Sequence, residues 1–153
     1  MANWPDSDVA HMQEALRLAA LAAEQNEVPV GAVVVRRGEI IGRGYNRPIA
    51  NHDPTAHAEV MALREAAAAI GNYRLTGCDL IVTLEPCVMC LGAMLNARVS
   101  RLLFGAYDEK AGAAGSVLDL SSERALNHRI EVTGGLFADE SRALLQSFFV
   151  SRR

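Results

Sequence analysis

One stretch narrows the possible folds more than any other: DLIVTL (79–84), EPCVMCLGAMLNAR (85–98) and RLLFGA (101–106). The outer pieces are nearly all apolar, as strands are when both faces of their sheet are covered. The middle piece has helical spacing through Met89, Ala93 and Met94, with Pro86 suited to its start. Strand, helix and strand in this order form a βαβ unit, so the two strands are expected to run parallel.

The rest of the chain adds layers to that unit. Asp6 to Asp8 offer caps, and Val9, Met12, Leu16, Ala19, Ala20 and Ala23 recur at helical steps toward Asn26. GAVVV (31–35) and IIGRGYN (40–46) read as strands joined by the turn RRGE. HDPTAHAEVMAL (52–63) reads as a helix opening, with Asp53 as cap and Pro54 at the first helical position, running through Val60, Leu63, Ala67 and Ile70 to Gly71. DEKAGAAGSVLDL, after Tyr107, is expected to form an ordered loop with a short helical piece. HRIEVTGG suits a short last strand, and FADESRALLQSFFV (137–150) a final amphipathic helix. With 153 residues, half of them hydrophobic, the expectation is one domain over 1–153: a three-layer α/β/α fold with a mixed central sheet.

Composition excludes several classes. The N-terminal stretch lacks the basic-then-apolar pattern of a signal peptide, and no run reaches the ~20 apolar residues of a membrane span, so a soluble, cytoplasmic protein is expected. Cys78, Cys87 and Cys90 are odd in number, and two form a C-x-x-C, which points to metal or redox chemistry rather than a disulfide framework. Cys78 reads as a small buried residue. The net charge, 15 − 18 = −3, argues against general nucleic-acid binding but allows a local basic patch.

Cys87 and Cys90 are three apart in the first turn of a predicted helix, where they share a face and the helix dipole favours thiolate. A redox pair and a metal site both fit that spacing. His57, near a second helix start, would complete a set of three ligands if the two helix N-termini converge. Three protein ligands with a water in the fourth position are the pattern of catalytic zinc, whose bound water has a pKa of about 7. Glu59, two residues from His57, projects from another side of the helix start and suits a proton shuttle rather than a ligand. A fourth protein ligand would close the site, so His52 is read as a loop residue.

H-A-E (57–59) followed by P-C-V-M-C (86–90) is the zinc nucleobase-deaminase signature. With VPVGAVVV (28–35), NRPI (46–49), HDPTAHAEVMALR (52–64), NYRL (72–75), VTLEPCVMC (82–90), FGAYDEKAGAAGS (104–116), NHR (127–129) and the closing FFVSRR, the chain resembles the bacterial tRNA-specific adenosine deaminase family over nearly its whole length. That resemblance implies a cytidine-deaminase-like fold, one zinc per subunit and a homodimer acting on the tRNA anticodon stem-loop. It also implies conversion of the wobble adenosine, in an arginine tRNA, to inosine.

The same resemblance implies residue roles. His57, Cys87 and Cys90 would hold the metal, and Glu59 would move the protons. Asn46 would hydrogen-bond the flipped nucleoside, Val30 and Leu84 would wall its base, and the Ala58 amide would hold part of it. Asp108 and Phe149 would contact the anticodon loop. Tyr107 stands where a basic residue is expected, which removes one phosphate contact and offers a stacking surface. Arg98, Arg101, Lys110, Arg129, Arg152 and Arg153 are candidates for a local patch. Two rival readings are a free-base deaminase, such as one for guanine, and a non-catalytic zinc-stabilised module.

Overall fold

The two apolar strands do lie side by side. In the computed structural model, which describes residues 3–152, β3 (Cys78–Leu84) pairs in parallel with β4 (Arg101–Ala106), and the crossover carries α4 (Val88–Asn96). β1 (Gly31–Arg36) and β2 (Glu39–Tyr45) form the expected hairpin, and β1 lies antiparallel against β3. β5 (Glu131–Gly134) adds a second parallel pairing on the far side of β4. The sheet order is β2-β1-β3-β4-β5, mixed as the two kinds of connection require.

Strand residues alternate between two cores. Ala32, Val34, Leu80, Val82, Leu102 and Phe104 face α3 (Ala58–Ile70) and α4. Val33, Val35, Ile81 and Leu103 face Met12, Ala15 and Leu18 of α1 (Asp6–Glu24). A short helix, α2 (Pro48–Asn51), follows the hairpin, and α5 (Ala138–Val150) packs on β3, β4 and α1. This is the three-layer α/β/α arrangement. Burying each large aliphatic side chain in it stabilises the fold by roughly 1.5–3 kcal/mol over exposure.

Helix α3 approaches β2 without side chains between. A Cβ placed on Gly44 would lie 2.2 Å from the Ala58 carbonyl oxygen, and one on Gly42 2.3 Å from that of Ala62. The first two turns of α3 therefore rest on strand backbone.

Three local expectations are corrected. The helix of HDPTAHAEVMAL begins at Ala58, not after Asp53. Asp53 Oδ1 instead accepts from the Thr55 amide (2.8 Å) and hydroxyl (2.7 Å), a local turn that competes with helix capping. Pro54 lies in that turn, and His52 has left-handed backbone (φ 48°) at the end of α2. Residues 107–118 are ordered turns with an isolated bridge between Ala114 and Asp119 and no helical piece among the described residues. Arg101, a candidate for the basic patch, is tied to Asp8 (2.7 Å) and Asp79 (3.0 Å) at the end of the sheet away from α4's start. Arg153 lies outside the described residues.

Candidate metal centre and active site

The N-cap residues of helices α3 and α4 are His57 and Cys87. The His57 side chain makes no capping bond to its own helix. His57 Nδ1 lies 3.7 Å from Cys87 Sγ and 3.5 Å from Cys90 Sγ. Cys90 is buried, and the other two are half-buried. The three ligand atoms lie within 4.8 Å of one another, and no other group of three His, Cys, Asp or Glu among the described residues does so.

The donor set suits zinc. A tetrahedral ion with sulfur at about 2.3 Å and nitrogen at about 2.0–2.1 Å holds its sulfur and nitrogen ligands about 3.6 Å apart. The observed separations match that spacing. Hydrogen bonding from Cys90, and then from His57, pulls the Cys87 thiol down to about 3. Cys90 is pushed up, first by its bond to Cys87 and then by burial. A divalent cation would bind both sulfurs as thiolates. Two helix N-termini aimed at the cluster favour the anionic sulfur.

Glu59 is 4 % exposed. Burial pushes its carboxyl up to about 7, against a smaller opposing pull from a hydrogen bond with its own amide. A carboxyl poised near neutrality beside a three-ligand cluster can both take and give a proton.

The start of α3 is capped from a distance. Asn46, just after β2, accepts the Ala58 amide at Oδ1 (2.8 Å), and its own amide donates to the Val30 carbonyl (3.2 Å). Buried Glu27 accepts the Ile49 and Ala50 amides and so fixes α2 in between. Val30, Asn46 and Ala58 are thereby brought together. The Ala58 amide, expected to hold part of a base, donates here to Asn46. Besides the oxygen bonded to α3, the Asn46 side chain carries an NH2 donor.

Leu84 ends β3 in register with Ala106, half-buried. Asp108 is half-buried in the following loop and accepts the Lys110 and Ala111 amides at Oδ1 (3.0 and 3.1 Å). Phe149 is 52 % exposed near the end of α5, edge-on to Phe148. Lys110 connects these regions. It lines a cavity of about 450 Å3 with Cys87, Met89 and Leu118, and another of about 440 Å3 with Arg142, Gln146 and Phe149. A larger cavity, about 510 Å3, lies at the other end of α4 between Arg74, Arg98 and His128, away from the cluster. His128 Nε2 pairs with the Val99 carbonyl oxygen there, at 2.7 Å.

Glu85 carried no predicted role, yet it is buried beside the cluster and receives four hydrogen bonds. Its signal in the sequence is a charge at the end of an otherwise apolar strand, two residues before a ligand.

Comparison with known proteins agrees with this geometry. The profile of the cytidine and deoxycytidylate deaminase zinc-binding region matches residues 5–106. The chain is 50% identical over 147 residues to the tRNA-specific adenosine deaminase of Haemophilus influenzae, covering 95% of this chain and 85% of that protein. A solved structure from a study of A-to-I editing by tRNA deaminases at the wobble position superposes with a TM-score of 0.87 at 45% identity, covering 89% of this chain and 99% of the other. A guanine deaminase from Nitrosomonas europaea gives a TM-score of 0.80 at 29% identity, covering 98% and 87%.

Proposed function

Because the chain belongs to the cytidine and deoxycytidylate deaminase family, with bacterial tRNA-specific adenosine deaminases among its relatives, we propose that it hydrolyses the wobble adenosine of a tRNA anticodon to inosine, with an arginine tRNA as substrate. The observation that carries this reading is the buried Glu59 beside the His57, Cys87 and Cys90 cluster, in a chain so close to the tRNA enzymes.

The balance of the reaction is adenosine and water to inosine and ammonia. His57, Cys87 and Cys90 would hold a zinc ion, which would supply Lewis acidity to activate a water. Glu59 takes the water's proton, passes it to N1 of the adenine ring, and later delivers a proton to the departing ammonia. The burial that raises its pKa fits it for both directions of transfer. Val30 and Leu84 wall the flipped base, and Ala58, with its small side chain, leaves room for it. The Asn46 NH2 holds the nucleoside, its oxygen being committed to α3.

Asp108 and Phe149 flank the anticodon loop, with Lys110, whose amide Asp108 accepts, lining the same groove as Phe149. Tyr107, 52 % exposed, offers a face on which a base can stack. We place the enzyme in the cytoplasm as a homodimer. Val88, Val117 and Leu118, each about half exposed, form an apolar surface beside the site. No helix among the described residues is long and apolar enough to cross a membrane.

The test is an anticodon stem-loop with adenosine at the wobble position. Inosine and ammonia should appear in equal amounts, the protein should hold about one zinc per chain, and a chelator should abolish turnover until zinc is restored. Turnover of free guanine with none on the stem-loop would replace this reading with the free-base one. Comparing arginine stem-loops with others that carry a wobble adenosine reads the tRNA choice.

A further inference from the structure

Glu85 is neither a ligand of the cluster nor a party to the proton transfers. Its carboxylate is 2 % exposed. Oε1 accepts from the Asp108 amide (3.0 Å) and the Ser116 hydroxyl (2.5 Å), and Oε2 from the Ala114 and Ser116 amides (both 3.1 Å). Every donor comes from residues 108–116. The Pro86 carbonyl accepts a fifth hydrogen bond from the same loop, from the Ala113 amide (2.8 Å). Gly112 passes so close that an added Cβ would lie 2.4 Å from Glu85 Oε2. Among the described residues no Lys, Arg or His forms an ion pair with it.

A buried carboxylate without a cation is costly unless its lone pairs are filled. Four donors fill the four acceptor positions a carboxylate has. A surface loop has no need of such a hub, since water can satisfy its amides. The hub instead fixes the loop against the two residues that lead into Cys87. Asp108 is held by its amide, and through Asp108 Oδ1 the amide of Lys110 is held as well.

We propose that Glu85 is a positioning residue for the polynucleotide. It locks the 108–116 wall at a fixed offset from Cys87, so that the groups gripping the anticodon loop stand at the correct distance from the metal. The identity of the polynucleotide rests on the function proposed above; the clamp does not.

Glu85→Gln keeps the shape but turns an NH2 toward groups that are themselves donors. The zinc content should stay at that of the wild type. Amide exchange over 108–116, read by mass spectrometry, should quicken. KM for the anticodon stem-loop should rise about tenfold, a loss of about 1.4 kcal/mol, while kcat changes far less. Gly112→Ala disturbs the same contact from the loop side, so it should give the same split and carries the test if Glu85→Gln does not fold.

A merely structural role would reduce the active fraction, so that kcat falls and KM is unmoved; that result in both variants would overturn the proposal. Unchanged exchange over 108–116 in both would also overturn it. A wild-type chain inert on the stem-loop would reject the substrate reading, and the role in gripping RNA with it. The exchange measurement would still report on the clamp alone.

Discussion

Two helix starts build this site, and each has a buried glutamate two residues from a ligand. At α3 the glutamate follows the ligand: His57, then Glu59. At α4 it precedes it: Glu85, then Cys87. At Glu59 burial outweighs the hydrogen bonds from its own amide and from Cys90, and lifts its carboxyl to about 7. Glu85 is saturated by four donors from one loop. The same side chain at nearly the same depth thus serves opposite ends. A carboxylate whose burial outweighs its hydrogen bonds can hold a proton, whereas one with every lone pair filled holds a piece of chain.

The largest expected effect falls on Glu59. Glu59→Ala should lower kcat by about 10²–10⁴, the usual worth of a positioned acid–base group, while metal analysis still finds zinc. Activity within a few-fold of wild type would erase the distinction between the two glutamates. Next comes the bed of α3. Gly44→Ala forces a methyl into the Ala58 carbonyl; overpacking of this kind costs about 1–3 kcal/mol. Denaturant melts should show that loss, with turnover falling further than stability because His57 and Glu59 move together.

Asn46→Ala removes the remote cap. It should cost about 0.5–2 kcal/mol in the same melts, as cap deletions do, and should raise KM as well through loss of the NH2 donor. The smallest effect concerns a third kind of carboxylate. A hydrogen bond from Arg17, joined by one from Arg43, draws Glu14 from 4.5 down to about 2, although burial opposes them. Its pairing therefore stabilises the fold fully above about pH 4.5 and is lost as pH falls through 2. Glu14→Gln should lower Tm slightly at neutral pH, as exposed ion pairs are worth about 0–1 kcal/mol. The gap should close as melts are repeated toward pH 2.

The layers and the ligand cluster were legible because their signals are local and periodic. DLIVTL and RLLFGA are short runs that must be covered on both faces, and they are the parallel pair at the sheet's centre. Cys87 and Cys90 lie one turn apart, and the pairing with His57 follows once two helix starts converge. The start of α3 is hidden in the sequence because Asp53 has two local choices and the turn with Thr55 wins. The cap that replaces it comes from Asn46, twelve residues earlier, and no pattern within the helix announces it. Glu85 and Arg101 were opaque for the same reason. Their partners, at 108–116 for one and at Asp8 and Asp79 for the other, are brought to them only by the finished fold.

The bare glycine contacts under α3 carry a mechanical consequence. A helix resting on side chains floats on whatever rotamers they sample, and its height drifts as they hop. Beneath Ala58 and Ala62 there is only strand backbone, which has no rotamers to exchange and almost nothing to compress. The imidazole and the carboxylate at that helix start therefore sit on a hard stop. Thermal motion can slide α3 along the sheet or tip its far end, but it cannot press the first turn closer.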